Sequence, residues 1–172
     1  MPGTKLKINI FGDTILRKKA KPVKEVIAEH RRILSSMAQT MYEHSGIGLA
    51  APQVGIGTQL IVVDIGEGLY KLVNPKIVKR QGSQAIQEGC LSVPGVCIKV
   101  RRAKQVWVEA LDENSCPVKI EAKDLFACVL QHEIDHLEGK LIVDYTSFLK
   151  RIRIQRKIKE LKSGAITPKL QI

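Results

Sequence analysis

The chain has 172 residues, 44% hydrophobic and 26% charged, a balance that suits a globular domain with a real core and excludes a disordered or fibrous chain. Its net charge of +11 is large for that length and raises the question of where the cations lie. No apolar run approaches a membrane span, and Met1–Lys7 lacks the apolar stretch of a secretory signal, so no membrane partner is expected and the expected location is cytoplasmic. There the four cysteines, Cys90, Cys97, Cys116 and Cys128, stay reduced. No two of them form a Cys-x-x-Cys pair, which argues against a zinc finger.

In chain order, Val26, Ile27, Ile33, Leu34, Met37, Ala38 and Met41 recur at helical spacing and predict an amphipathic helix over about 25–44. It should stop at Ser45-Gly46, where glycine can take the left-handed conformation. The following stretch, 46–55, is too rich in glycine for a regular element. Strands are predicted at Gln59–Ile65, Tyr70–Val73, Ile98–Arg102, Gln105–Leu111 and Val118–Ala122, with a hairpin turn at 112–115. A helix over about 124–138 ends at Gly139, and a last helix over about 147–162 carries Phe148, Ile152, Ile154, Ile158 and Leu161 among basic residues. That order predicts an α+β fold, mostly antiparallel strands packed around a central helix, with an N-terminal helix and a C-terminal helix. No repeat or linker divides the chain, so 1–172 reads as a single domain whose last part, 150–172, is a basic helix and tail.

The central helix carries the chemistry. Residues 132–136 read His-Glu-Ile-Asp-His. Histidines four apart on a helix project from one face, one turn above the other, and can grip one metal ion. Glu133 then stands beside the ion, free to move protons for a water whose pKa can fall from 15.7 to about 7. That arrangement predicts hydrolysis. Two histidines at this spacing can also be ordinary core or surface residues. Here they follow the apolar run 125–130, which carries them inside, where imidazole and carboxylate need partners.

The spacing leaves the third ligand open. Glu138 points away from the metal face if the helix continues, and Asp144 is a further candidate downstream. Glu160 lies where some zinc endopeptidases place a ligating glutamate, though lysine and arginine surround it. Upstream, Cys90 sits in Glu88-Gly89-Cys90-Leu91-Ser92-Val93-Pro94, where glycine and proline bend the chain and present the sulfur.

Three segments taken together, Gly46–Gln53, Glu88–Ser92 and Gln131–His136, resemble the motifs of the peptide deformylases, in the same order, and the resemblance spans nearly the full length. It implies an enzyme that removes the formyl group from the N-terminal methionine of newly made polypeptides and releases formate. It implies Cys90, His132 and His136 as metal ligands, with Glu133 as proton carrier. The expected ion is Fe(II), while Zn(II), Ni(II) and Co(II) suit the same donors. It further implies that the Gln53 amide and the Leu91 backbone N–H donate to the oxygen that gains charge, and that Gly48 lets the backbone approach substrate. For the methionine side chain, Ile47, Leu125, Cys128 and Val129 are the candidate lining, the last three preceding His132 at helical intervals.

From Lys150 onward eight basic residues stand against Glu160 alone. In bacterial relatives such a helix docks near the ribosomal exit tunnel, so ribosomal RNA or protein is the implied partner. Two rival readings stay open at this stage. One is a zinc endopeptidase with Glu160 as third ligand. The other is a basic RNA-binding domain in which Cys97 completes a closed structural zinc site.

Overall fold

In the computed structural model of the chain, which describes residues 5–163, Ala28–Glu43 forms helix α1. Lys169 and the rest of the expected basic tail lie outside the described residues. Leu34, Met37, Ala38 and Met41 are buried as their spacing requires, and each large side chain among them contributes about 1.5–3 kcal/mol by leaving water. The helix starts three residues later than expected because Ile27 is extended. The Ile27 N–H donates to His30 Nδ1 at 3.2 Å, so His30 caps the helix. At the other end the left-handed residue is Ser45 (φ 54°) and not Gly46. The N–H groups of Ser45 and Gly46 donate back to Tyr42 and Met41 at 3.0 and 2.9 Å, closing the last turn.

Five strands form the main sheet: β1 (Gly48–Ala50), β2 (Leu60–Val63), β3 (Tyr70–Gln81), β6 (Gln105–Leu111) and β7 (Pro117–Lys123), in the order β1-β2-β3-β6-β7 with every neighbouring pair antiparallel. A second, two-stranded antiparallel sheet joins β4 (Gln84–Glu88) to β5 (Ile98–Arg102). The α+β expectation therefore stands, and β5 and β6 occupy the residues expected of them. Three strand expectations need correction. Gly48–Ala50 is a strand despite its glycine, paired Gly48↔Val63 through Ala50↔Ile61. β3 runs well past Val73, crossing Asn74-Pro75 by register shifts, with Asn74 in the left-handed region (φ 52°). β4 was not foreseen at all, being mostly polar.

Helix α2 (Asp124–Leu137) follows β7 without a loop and packs on one face of the main sheet, while α1 packs on the other. β2 lies between them: Leu60 and Val62 join the α1 core, Ile61 and Val63 the α2 core, which is why its four residues are all apolar. Gly139 closes α2 in the left-handed region (φ 73°). A β-carbon there would stand 2.6 Å from the Arg17 carbonyl oxygen, so no larger residue fits. Helix α3 (Phe148–Lys162) buries Ile154 and Ile158 against Val93, Ile98 and Val100. Lys157 Nζ donates to the Gly95 carbonyl at 2.9 Å, and Lys162 pairs with Asp13 at 3.0 Å.

Candidate metal centre

The apolar side of α2 faces the sheet through Ala127 and Leu130, which turns His132 and His136 toward the segment leaving β4. Their Nε2 atoms face each other at 3.2 Å. Cys90, the second residue after β4, brings Sγ to 3.3 Å from His136 Nε2. The three donor atoms all lie within 4.8 Å of one another. An ion with Zn–N near 2.0–2.1 Å and Zn–S near 2.3 Å in tetrahedral geometry would hold such atoms roughly 3.3–3.6 Å apart. The residues fit an ion.

Glu88, at the end of β4, takes up the other side of His132, its Oε2 lying 2.9 Å from Nδ1. A carboxylate only accepts, so Nδ1 donates, and in the neutral ring the Nε2 lone pair is then left for the ion. Arg102 grips Glu88 with Nε and Nη2 at 2.7 and 2.9 Å. Burial works to raise the Glu88 pKa, but the bonds from Arg102 and His132 outweigh it and hold the carboxyl below its ordinary value. Burial, followed by the neighbouring His132, holds His136 well below the usual histidine range, which favours the neutral ring that ligates.

Glu133 is buried, and burial pushes its pKa up to about 7. Its Oε2 takes no hydrogen bond among the described residues. Its Oε1 occupies the space over Gly48: a β-carbon at Gly48 would stand 2.3 Å from that oxygen. The glycine thus makes room for the carboxylate, a reason that the sequence reading, which assigned it to substrate approach, did not contain. Gln53 is fixed by the Ala50 N–H, which donates to its Oε1 at 2.8 Å. Its Nε2 is thereby directed at Cys90 Sγ (3.6 Å) and Ser92 Oγ (3.3 Å). Gly48, Gln53, Cys90, His132 and Glu133 border a cleft of about 620 Å³.

The family profile described as Polypeptide deformylase matches residues 5–152. The chain belongs to the peptide deformylase family. It is 57% identical over 130 residues to the peptide deformylase of Syntrophomonas wolfei, covering 76% of this chain and 86% of the relative. A crystal structure of the Legionella pneumophila peptide deformylase superposes with a TM-score of 0.90 at 43% identity, covering 96% of this chain and 100% of that one. The Synechococcus elongatus peptide deformylase, solved in complex with actinonin, superposes with a TM-score of 0.84 at 43% identity, over 91% and 90% of the two chains.

As a peptide deformylase the chain is a metal-dependent hydrolase that takes the formyl group from the N-terminal methionine of new polypeptides and releases formate. Both rival readings fall: among the described residues neither Glu160, exposed on α3, as the endopeptidase needed, nor Cys97, as the closed zinc site needed, joins the Cys90–His132–His136 group. Glu138 pairs with Lys19 at the surface, and Asp144 with Arg17 and Arg151. Ile47, Gly48, Gln53, Leu91, Leu125, Cys128 and Val129 all border the cleft, Ile47 and Leu125 exposed, Cys128 and Val129 buried. Burial pushes the Cys128 thiol up to about 11, so it packs as an uncharged group. Cys97 is exposed on the cleft border. The sequence reading missed Glu88 and Arg102. An acidic residue two positions before the candidate cysteine was the available signal.

Proposed function

We propose that Cys90, His132 and His136 hold one divalent ion, ferrous iron by the resemblance of the motifs, and that Glu133 carries the proton in deformylation. One observation carries this reading: two imidazole nitrogens of one helix and a thiol sulfur from a distant part of the chain converge beside a buried carboxyl with an oxygen that has no partner among the described residues. Zinc, nickel and cobalt suit the same donors, so the donor set does not choose among them.

When bound, the ion supplies Lewis-acid activation of a water and of the formyl oxygen. Glu133, poised near neutrality by burial, accepts the proton of the attacking water. It returns that proton to the amine nitrogen as the C–N bond breaks, which the poor leaving group requires. Gln53 Nε2, aimed by the Ala50 N–H, donates to the oxygen that gains negative charge, together with the Leu91 N–H. Loss of one such donor costs roughly 2.7–4 kcal/mol of barrier. The apolar side chains of Ile47, Leu125, Cys128 and Val129 receive the methionine side chain.

The whole chain works as one catalytic domain in the cytoplasm, on polypeptides leaving the ribosome. α3 presents Lys150, Arg153, Arg156 and Lys159, all exposed, to ribosomal RNA or protein. Among the described residues no helix is long and apolar enough to cross a membrane. The test is formate release from formyl-Met-Ala-Ser by anaerobically prepared protein. Wild type should release formate, and Cys90→Ser should lose bound metal and most turnover. Equal turnover by the serine variant would remove Cys90 from the ligand set.

A further inference from the structure

Behind His132 a chain of polar groups leaves the cleft and ends at the start of α3. Arg102, at the end of β5, is buried and spends three donor atoms on two carboxylates. Its Nε and Nη2 hold both oxygens of Glu88, and its Nη1 donates to Asp135 Oδ2. Tyr145 covers the guanidinium with its ring, 4.8 Å from Cζ to the ring centroid. The Tyr145 hydroxyl accepts from Arg102 Nη1 at 3.2 Å and donates to Asp135 at 2.6 Å. Burial, then the bond to Asp135, pushes the Tyr145 pKa up to about 12, so it keeps the proton it donates.

A buried arginine between two carboxylates could simply pin elements together. Two features point to more than a pin. The Glu88 oxygen bound by Arg102 Nη2 is the same Oε2 that meets His132 Nδ1. A guanidinium fork fixes the plane of the carboxylate it holds, and that plane sets the direction of the histidine N–H. In addition, Asp135 belongs to the helical turn that runs from His132 to His136. Arg102 therefore holds the ligand-bearing turn at Asp135 and its first ligand through Glu88.

The geometry points to Arg102, Asp135 and Tyr145 as positioning residues that lock the His132 ring toward the ion through Glu88. This rests on the ligand set proposed above. Partners outside the ligands typically change metal affinity or activity by about 10–100-fold when replaced. Tyr145 lies at the end of the short turn Ile142–Tyr145, just before α3, so the lock extends from the cleft to the base of the terminal helix.

The probe is Co(II) loaded anaerobically, with its visible absorption as the spectroscopic readout and its transfer to excess chelator as the rate. Tyr145→Phe keeps the ring and removes the hydroxyl, Asp135→Asn keeps the shape, and Arg102→Lys keeps the charge but loses the fork. Leu34→Val, in the α1 core on the opposite side of the main sheet, serves as the control for lost stability. Tyr145→Phe and Asp135→Asn should release Co(II) about tenfold faster, with an altered spectrum, a lower kcat and little change in KM. Arg102→Lys should release it faster still. Leu34→Val should release it at the wild-type rate even where its thermal midpoint falls as far. Wild-type spectra and release rates for both Tyr145→Phe and Asp135→Asn would overturn the inference, as would equal acceleration by Leu34→Val. Cobalt bound unchanged by Cys90→Ser would instead refute the ligand set.

Discussion

At Gly48 a single absent methyl group leaves the room that the Glu133 carboxyl occupies. Its main chain runs under Glu133, and alanine there would meet the carboxyl oxygen at 2.3 Å and the Val129 side chain at 2.9 Å. The carboxyl would have to move. Because a displacement of about 1 Å can cost on the order of 100-fold in rate, Gly48→Ala should lose about that factor in kcat on a formyl peptide. Its far-ultraviolet circular dichroism and bound metal should stay those of wild type, since Gly48 is no ligand. Wild-type kcat in this variant would show that Glu133 does not need its observed position. At this scale the sequence was partly legible. Two histidines four apart announce themselves on a helix, whereas Cys90 is joined to them only by the tertiary fold: its local sequence made it one candidate among several, and the family resemblance singled it out. The demand on Gly48 was hidden because it arises from a side chain on a distant element.

Elements were legible where one physical signal ruled. The alternation in Ile98–Arg102 and the apolar stripe of α1 produced what they predict. β4 escaped because three of its five side chains, Gln84, Gln87 and Glu88, are polar, and its pairing with β5 is what makes it a strand. α3 is an element whose attachment depends on charge as well as burial. Asp13 is held below its ordinary value, chiefly by its bond to Lys162. Asp144 is likewise held low: burial opposes this, but the bond from Arg17 outweighs it. A depressed carboxyl stabilises the fold above its unfolded pKa of about 3.9 and loses that contribution as pH falls through its folded value. Urea midpoints should therefore decline as pH is lowered from about 5 toward 3, and the decline should be shallower in Asp144→Asn. Parallel curves for the two proteins would mean that Asp144 contributes nothing to this dependence.

For the molecule as a whole, the excess positive charge finds its proposed use on the outer side of α3. On its inner side Ile154 and Ile158 are buried and Lys157 holds Gly95 on the cleft border, so removing the helix would disturb the enzyme itself. Charge substitution at Lys150, Arg153, Arg156 and Lys159 avoids that. Ribosome affinity should fall steeply with salt, and replacing these four by Gln should flatten the log–log salt slope by about one unit per lost phosphate contact. Sedimentation with ribosomes across a salt series measures it, and an unchanged slope would exclude this face.

The proposed mechanism depends most on a division of labour between three ligands and one unligated carboxyl. Metal content and formate release, measured together on anaerobically loaded Glu133→Gln, test it directly. The variant should bind one equivalent of ion, as wild type does, with turnover reduced about 100- to 10,000-fold. A variant that loses the ion, or one that keeps its turnover, would contradict that division.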